Sequence, residues 1–159
     1  MNPDQCQISE WSGAPQMDTG APMPSIVVDD RELYVGYIVR DSESVDGASY
    51  AVVRFSGVSQ HTFGYPNDEA LDGHPLYTFG LAFYAFNEIA NSPCLKELAA
   101  RNAKSHPGSE PRFLRRKHWI VSFHDETLEV IGDSVEFIGT VVARSASEAI
   151  STVRGTRHA

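Results

Sequence analysis

Residues 117–132 read KHWIVSFHDETLEVIG, and the reading of this stretch decides the fold class. Trp119, Val121 and Phe123 alternate with His118, Ile120 and Ser122, the period-two pattern of a strand whose faces differ. Beyond HDET, Leu128 and Val130 alternate with Glu129 and Ile131 in the same way. Two such runs joined by a few polar residues make an antiparallel hairpin. A turn centred on Asp125-Glu126 sets Phe123 opposite Leu128 and Val121 opposite Val130, which gathers the apolar side chains on one face. The same register sets Ser122 opposite Glu129, Ile120 opposite Ile131 and His124 opposite Thr127. His124 and Glu129 thereby become diagonal neighbours on the other face, with His118 further along it.

Outward from the hairpin, LYVGYIVRD (33–41) alternates as a strand, and YAVVRFSGVSQHTF (50–63) reads as a longer one with a bulge at Gly57. The loop between them is too short for a helical crossover, so these strands pair antiparallel. DSVEFIGTVVA (133–143) adds another strand after a turn at Gly132-Asp133. Between these β segments, residues 79–104 are expected to form a two-part helix. Thr78 caps the first part and Asn91 ends it, and Ser92-Pro93 restarts the second. Phe79, Leu81, Phe83, Tyr84, Phe86 and Ile89 fall on more than one face of the first part, which predicts burial. In the second part Leu95 and Leu98 face in, and Lys96, Glu97 and Arg101 face out.

The expected architecture is α+β: an antiparallel sheet of about five strands, with the two-part helix packed on its apolar face. Residues 25–143 form this single domain. Residues 1–24, with Pro3, Pro15, Pro22 and Pro24, read as a flexible arm that Ile8 and Trp11 can anchor. Residues 144–159 read as a short helix over SASEAISTV and a tail.

The chain has 159 residues and 42% hydrophobic content, enough for one domain with a substantial core. Its net charge of −8 opposes binding to nucleic acid or an anionic membrane, so neither is expected as a partner. The basic run Arg112, Arg115, Arg116 and Lys117 reads as the solvated entry to a strand. Cys6 and Cys94 make no disulfide framework, and no signal-like or membrane-length apolar run appears, so a cytoplasmic location is the expectation. Cys94 stands at a helix start, where a thiolate is favoured, yet a lone cysteine there reads as a small buried residue. GxGxxG, GxxxxGK[ST] and GxSxG are absent, so nucleotide binding or a serine nucleophile by those routes is unsupported.

Residues 63–77, FGYPNDEALDGHPLY, carry the chemistry. Asn67-Asp68 followed by Glu69-Ala70-Leu71 reads as one capped helical turn that Asp72-Gly73 ends. The same stretch supplies Asp68, Glu69 and His74 as donors, acceptors and a titratable base. A histidine beside a carboxylate serves either acid–base catalysis or ligation of a divalent transition metal. His124, Glu129, His74, Asp68 and Glu69 are the catalytic candidates, and His61, His74, His124 and Glu129 have the composition of a metal site. Their spacing matches neither HxH nor HExxH, and ordinary histidines on a sheet face remain the plain alternative. The expected function is small-molecule binding, with enzymatic acid–base or metal chemistry at a His/Glu sheet face that the 63–77 loop covers. The alternative is a protein–protein interaction module of the immunity or adaptor type, whose acidic surface meets basic partners.

FGYPNDEALDGHPLY, NEIANSP and HWIVSFHDETLEV together resemble a set of small uncharacterised bacterial proteins sharing FGxPNDEA-x-x-GHPL and FHDxTxE patterns. The resemblance covers residues 48–131 and implies a bacterial source. It implies no activity.

Overall fold

The computed structural model describes residues 5–43 and 45–157. Its strands are β1 (Gln7–Glu10), β2 (Ser25–Asp29), β3 (Glu32–Ile38), β4 (Ala48–Ser56), β5 (Gln60–Gly64), β6 (Phe86–Ala90), β7 (Lys117–Ser122), β8 (Thr127–Gly132) and β9 (Ser134–Ala143). The helices are α1 (Pro93–Ser105), α2 (Glu110–Phe113) and α3 (Ala146–Arg157). The fold is α+β, and its sheets are antiparallel: a five-stranded sheet in the order β1-β6-β7-β8-β5 and a four-stranded sheet in the order β2-β3-β4-β9. Among the described residues no helix is long and apolar enough to cross a membrane.

The apolar face of the β7–β8 hairpin packs against the four-stranded sheet, where a helix was expected. Trp119, Val121, Phe123, Leu128 and Val130 share one core with Leu33, Val35, Tyr37, Val53 and Phe55. Phe55 and Trp119 meet with ring centroids 5.4 Å apart, and Tyr37 packs on Phe86 at 5.6 Å. Each fully buried aromatic here stabilises the sandwich by about 2–3 kcal/mol. The outer face of the four-stranded sheet is closed by α3, through Ala146, Ala149, Ile150 and Val153 on Tyr34, Tyr50 and Val52. Gly36 permits this approach, because a Cβ there would stand 3.0 Å from the Ala146 carbonyl oxygen.

The first half of the expected two-part helix is not helical. Residues 77–79 form one 3-10 turn that Gly80 ends at φ +97°, and residues 86–90 are β6, between β1 and β7. The physical reason lies in burial on both sides. Phe86 enters the inter-sheet core, whereas Ile89 packs outward with Leu71, Leu76, Leu81 and Ile120. A strand covered on both faces carries apolar residues in every direction, as a buried helix does. The second half is α1 as expected, with the Ser92 hydroxyl accepting from the Leu95 amide at 3.1 Å and Pro93 in the first turn.

The long strand read over 50–63 is also two elements. Gly57, at φ +66°, turns the chain out of β4 and into β5, and these two strands belong to different sheets. Of the stretch read as an N-terminal arm, residues 1–4 lie outside the described residues, and residues 5–24 join the fold. β1 pairs with β6, Trp11 packs edge-on against Phe86 at 5.5 Å, and Met17 is buried opposite Val39.

Candidate functional site

The outer face of the β7–β8 hairpin carries His118, Ile120, Thr127 and Glu129, the set the alternation assigns to it. Its register differs from the expected one by two residues: Ile120 stands opposite Glu129 and Ser122 opposite Thr127. The turn is centred on His124-Asp125, closed by the Phe123 amide donating to the Glu126 carbonyl at 2.9 Å. A two-residue slip keeps every side chain on its face but changes its diagonal partner. Glu129 therefore meets His118, and His124 rides in the turn.

The contact is short and buried. His118 Nε2 lies 2.6 Å from Glu129 Oε1, and His118 Nδ1 lies 2.7 Å from the Ser92 hydroxyl. Ser92 already accepts from the Leu95 amide, so its own proton goes to His118 Nδ1, and His118 donates through Nε2 to the carboxylate. This serine–histidine–glutamate chain has the residue types of a hydrolytic triad, but Ser92 and His118 are 2% and 0% exposed. No substrate reaches that hydroxyl, and its function is to cap α1 and tie it to the sheet.

The 63–77 loop closes over this face. The Thr127 hydroxyl donates to the Pro66 carbonyl at 2.7 Å, and the Asp68 amide donates to the His124 carbonyl at 2.9 Å. Asn67 caps a 3-10 turn over Asp68–Gly73, accepting from the Ala70 amide at 3.2 Å, and Leu71 is fully buried against the sheet. His74 Nδ1 accepts from the Leu76 amide, which leaves Nε2–H facing Glu129 Oε2 at 3.7 Å. Burial pushes the Glu129 pKa up, but the hydrogen bond from His118 and then the facing His74 N–H outweigh it and hold the carboxyl at about 2. A depression of about 70 Å³ beside Glu129, lined also by Gln60, His61, Thr62, Cys94 and Ile131, holds only water-sized guests. Burial, then the charges of Glu129 and Glu97, push the Cys94 thiol up, against the thiolate that a helix start favours.

A second, more open cluster forms where the loop meets the hairpin turn. The Tyr84 hydroxyl donates to Asp68 Oδ2 at 2.5 Å, and His124 Nε2 lies 4.0 Å from the same oxygen. His124 Nδ1 is 3.0 Å from Asp125 Oδ1. The Asp125 contact, against a smaller opposing desolvation and with help from Asp68, raises the His124 pKa. The Tyr84 hydrogen bond lowers Asp68, and Asp68 in turn pushes Tyr84 up to about 12. At neutral pH Asp68 is an anion, Tyr84 a fixed donor and His124, its side chain 39% exposed, the one group of the three poised to exchange a proton.

The predicted residues thus divide. Glu129 and His74 belong to the buried cluster, and Asp68 and His124 to the open one. Glu69 is exposed and touches the open cluster only through its charge. The expected metal set does not converge. His61 stands opposite Val130 in the ladder and Thr62 opposite Glu129; among the described residues His61 borders the same depression as Glu129 but forms no ion pair with it. Among the described residues no group of three or more His, Cys, Asp or Glu side chains could hold a metal ion. His118, Ser92, Asp125 and Tyr84 were missed as site residues. The corrected register yields His118, whereas Tyr84 carries no signal until the helix reading of 79–91 is given up. No family model matches the chain, and neither a curated protein nor a solved structure is similar enough to assign it to a family.

Proposed function

We propose that the protein binds a small polar molecule at the Asp68–Tyr84–His124 cluster and that His124 exchanges a proton with it. The observation that carries this reading is the 63–77 loop, which sets a half-exposed imidazole beside a carboxylate already fixed by Tyr84. The Tyr84 hydrogen bond lowers Asp68 and makes it a poor base; with Asp125 it favours the protonated form of His124, the group that exchanges a proton with the ligand. The buried Ser92–His118–Glu129–His74 chain supports the loop from beneath and takes no part in the exchange. A protein partner is the second reading, favoured by Tyr65, Phe79 and Phe83, exposed aromatics of the same segment.

The test is ligand-observed NMR with a panel of small carboxylates and amines, run on the wild type, His124→Ala and Asp68→Asn. Ligands of this site are displaced in both variants while the amide spectrum stays folded, and affinity follows the His124 titration as pH rises. Ligands that bind both variants as they bind the wild type, or a panel with no binder at all, would rule the reading out.

A further inference from the structure

The basic run Arg112, Arg115, Arg116 and Lys117 borders a concavity that the His/Glu chemistry leaves unused. About 390 Å³ in volume, it lies between α1 and α2 and is lined by Asn102, His106, Ser109, Arg112, Phe113 and Arg116. The lining offers two guanidiniums, an imidazole, an amide and a hydroxyl, and it contains no carboxylate. Neighbouring cations are otherwise engaged: Lys117 pairs with Glu88 at 3.0 Å and Arg101 with Glu97 at 2.7 Å. The Arg112 side chain makes no ion pair or hydrogen bond among the described residues. Lys104 and His106 complement the carboxyl end of α1 and need no ligand to explain them.

Two lining groups are already oriented. The Arg116 guanidinium lies 5.1 Å from the Phe113 ring centroid and donates one N–H to the Gly57 carbonyl at 3.4 Å, which leaves further donors for a ligand. The Ser109 hydroxyl accepts from Asn102 Nδ2 at 2.9 Å, so its own proton is available to an acceptor.

We propose that this pocket binds a compact dianion of the phosphomonoester class. Arg112 and Arg116 supply charge and forked donors, and Ser109 supplies a hydroxyl donor. The net charge of −8 selects a compact ligand, because an extended polyanion meets repulsion from the rest of the surface.

Two-dimensional amide NMR of the full chain, titrated with inorganic phosphate and with phenyl phosphate at constant ionic strength, tests this. Saturable shifts confined to residues 102–117 are expected, with phenyl phosphate the tighter ligand. Arg112 is exposed and its side chain makes no hydrogen bond or ion pair among the described residues, so Arg112→Glu keeps the fold and weakens the phosphate by about tenfold or more. Arg116→Gln, whose side chain packs on Phe113, serves as the second variant. Absence of saturation, or equal affinity in Arg112→Glu, overturns the proposal. A single-stranded DNA oligonucleotide that binds more tightly than phenyl phosphate overturns it too, in favour of a polyanion.

Discussion

Glu129 faces an imidazole N–H on each oxygen, His118 hydrogen-bonded to one at 2.6 Å and His74 3.7 Å from the other, and this decides what replaces it. Glu129→Gln keeps the shape but turns an N–H toward one of the two imidazole N–H groups, and the variant loses about 1–3 kcal/mol. The wild type should also show an acid transition that the variant lacks. A carboxyl lowered from 4.5 to about 2 stabilises the fold fully above pH 4.5, and that contribution fades as pH falls toward 2. Its size is on the order of 2 kcal/mol, because a shift of one unit corresponds to about 1.4 kcal/mol and part of the side chain is solvated. Urea unfolding across that range checks both points. If the two proteins lose stability in parallel on acidification, Glu129 is not the group responsible. From the sequence, alternation placed Glu129 on the right face and failed on its partner. Neither Asp125-Glu126 nor His124-Asp125 is a favoured hairpin turn, so nothing local chose between registers that differ by a full pleat repeat.

At the scale of the element, one buried side chain organises the turn before β6. Asn87 is 1% exposed, accepts from the Ala82 amide at 2.9 Å, and donates to the carbonyls of Ala82 at 3.0 Å and Ile120 at 3.1 Å. It pins the turn before β6 and ties that strand to β7. Asn87→Leu keeps the branching at Cγ but strands buried backbone groups and adds bulk, and a loss of about 3 kcal/mol is expected. Hydrogen exchange should speed up first at residues 82–88. Unchanged protection there would mean that the turn holds without the Asn87 hydrogen bonds. This element was illegible in sequence because FNEIA is buried on both faces and follows good helix formers, so periodicity could not separate strand from helix. Ser92-Pro93 was legible, since a cap and a first-turn proline act locally and need no tertiary context. Tyr84 was lost as a candidate for the same reason that β6 was lost as a strand.

At the scale of the molecule, the sandwich depends on the chain leaving one sheet for the other between β4 and β5. Within the span read as one strand, only Gly57 marks that change. It sits at φ +66°, and a Cβ there would fall 1.9 Å from Asp133 Oδ2 and 2.8 Å from the Asp133 Cβ. The alternation on either side continues through it, because both strands line the same inter-sheet core, and a glycine in such a run signals a bulge as readily as a corner. The second sheet was therefore hidden, although β3, β4 and β9 were each read as strands. Gly57→Ala imposes the left-handed backbone on a residue with a Cβ and forces the Asp133 side chain aside, at a combined cost of about 1–3 kcal/mol. Adding Asp133→Gly should relieve the clash but leave the backbone term, so the double variant recovers only part of the loss. Full recovery would assign the whole effect to the clash. No loss in the single variant would mean that the corner is set by the Ser56–Asp133 and Ser59–Ile131 backbone hydrogen bonds, at 2.8 Å each, with the glycine dispensable.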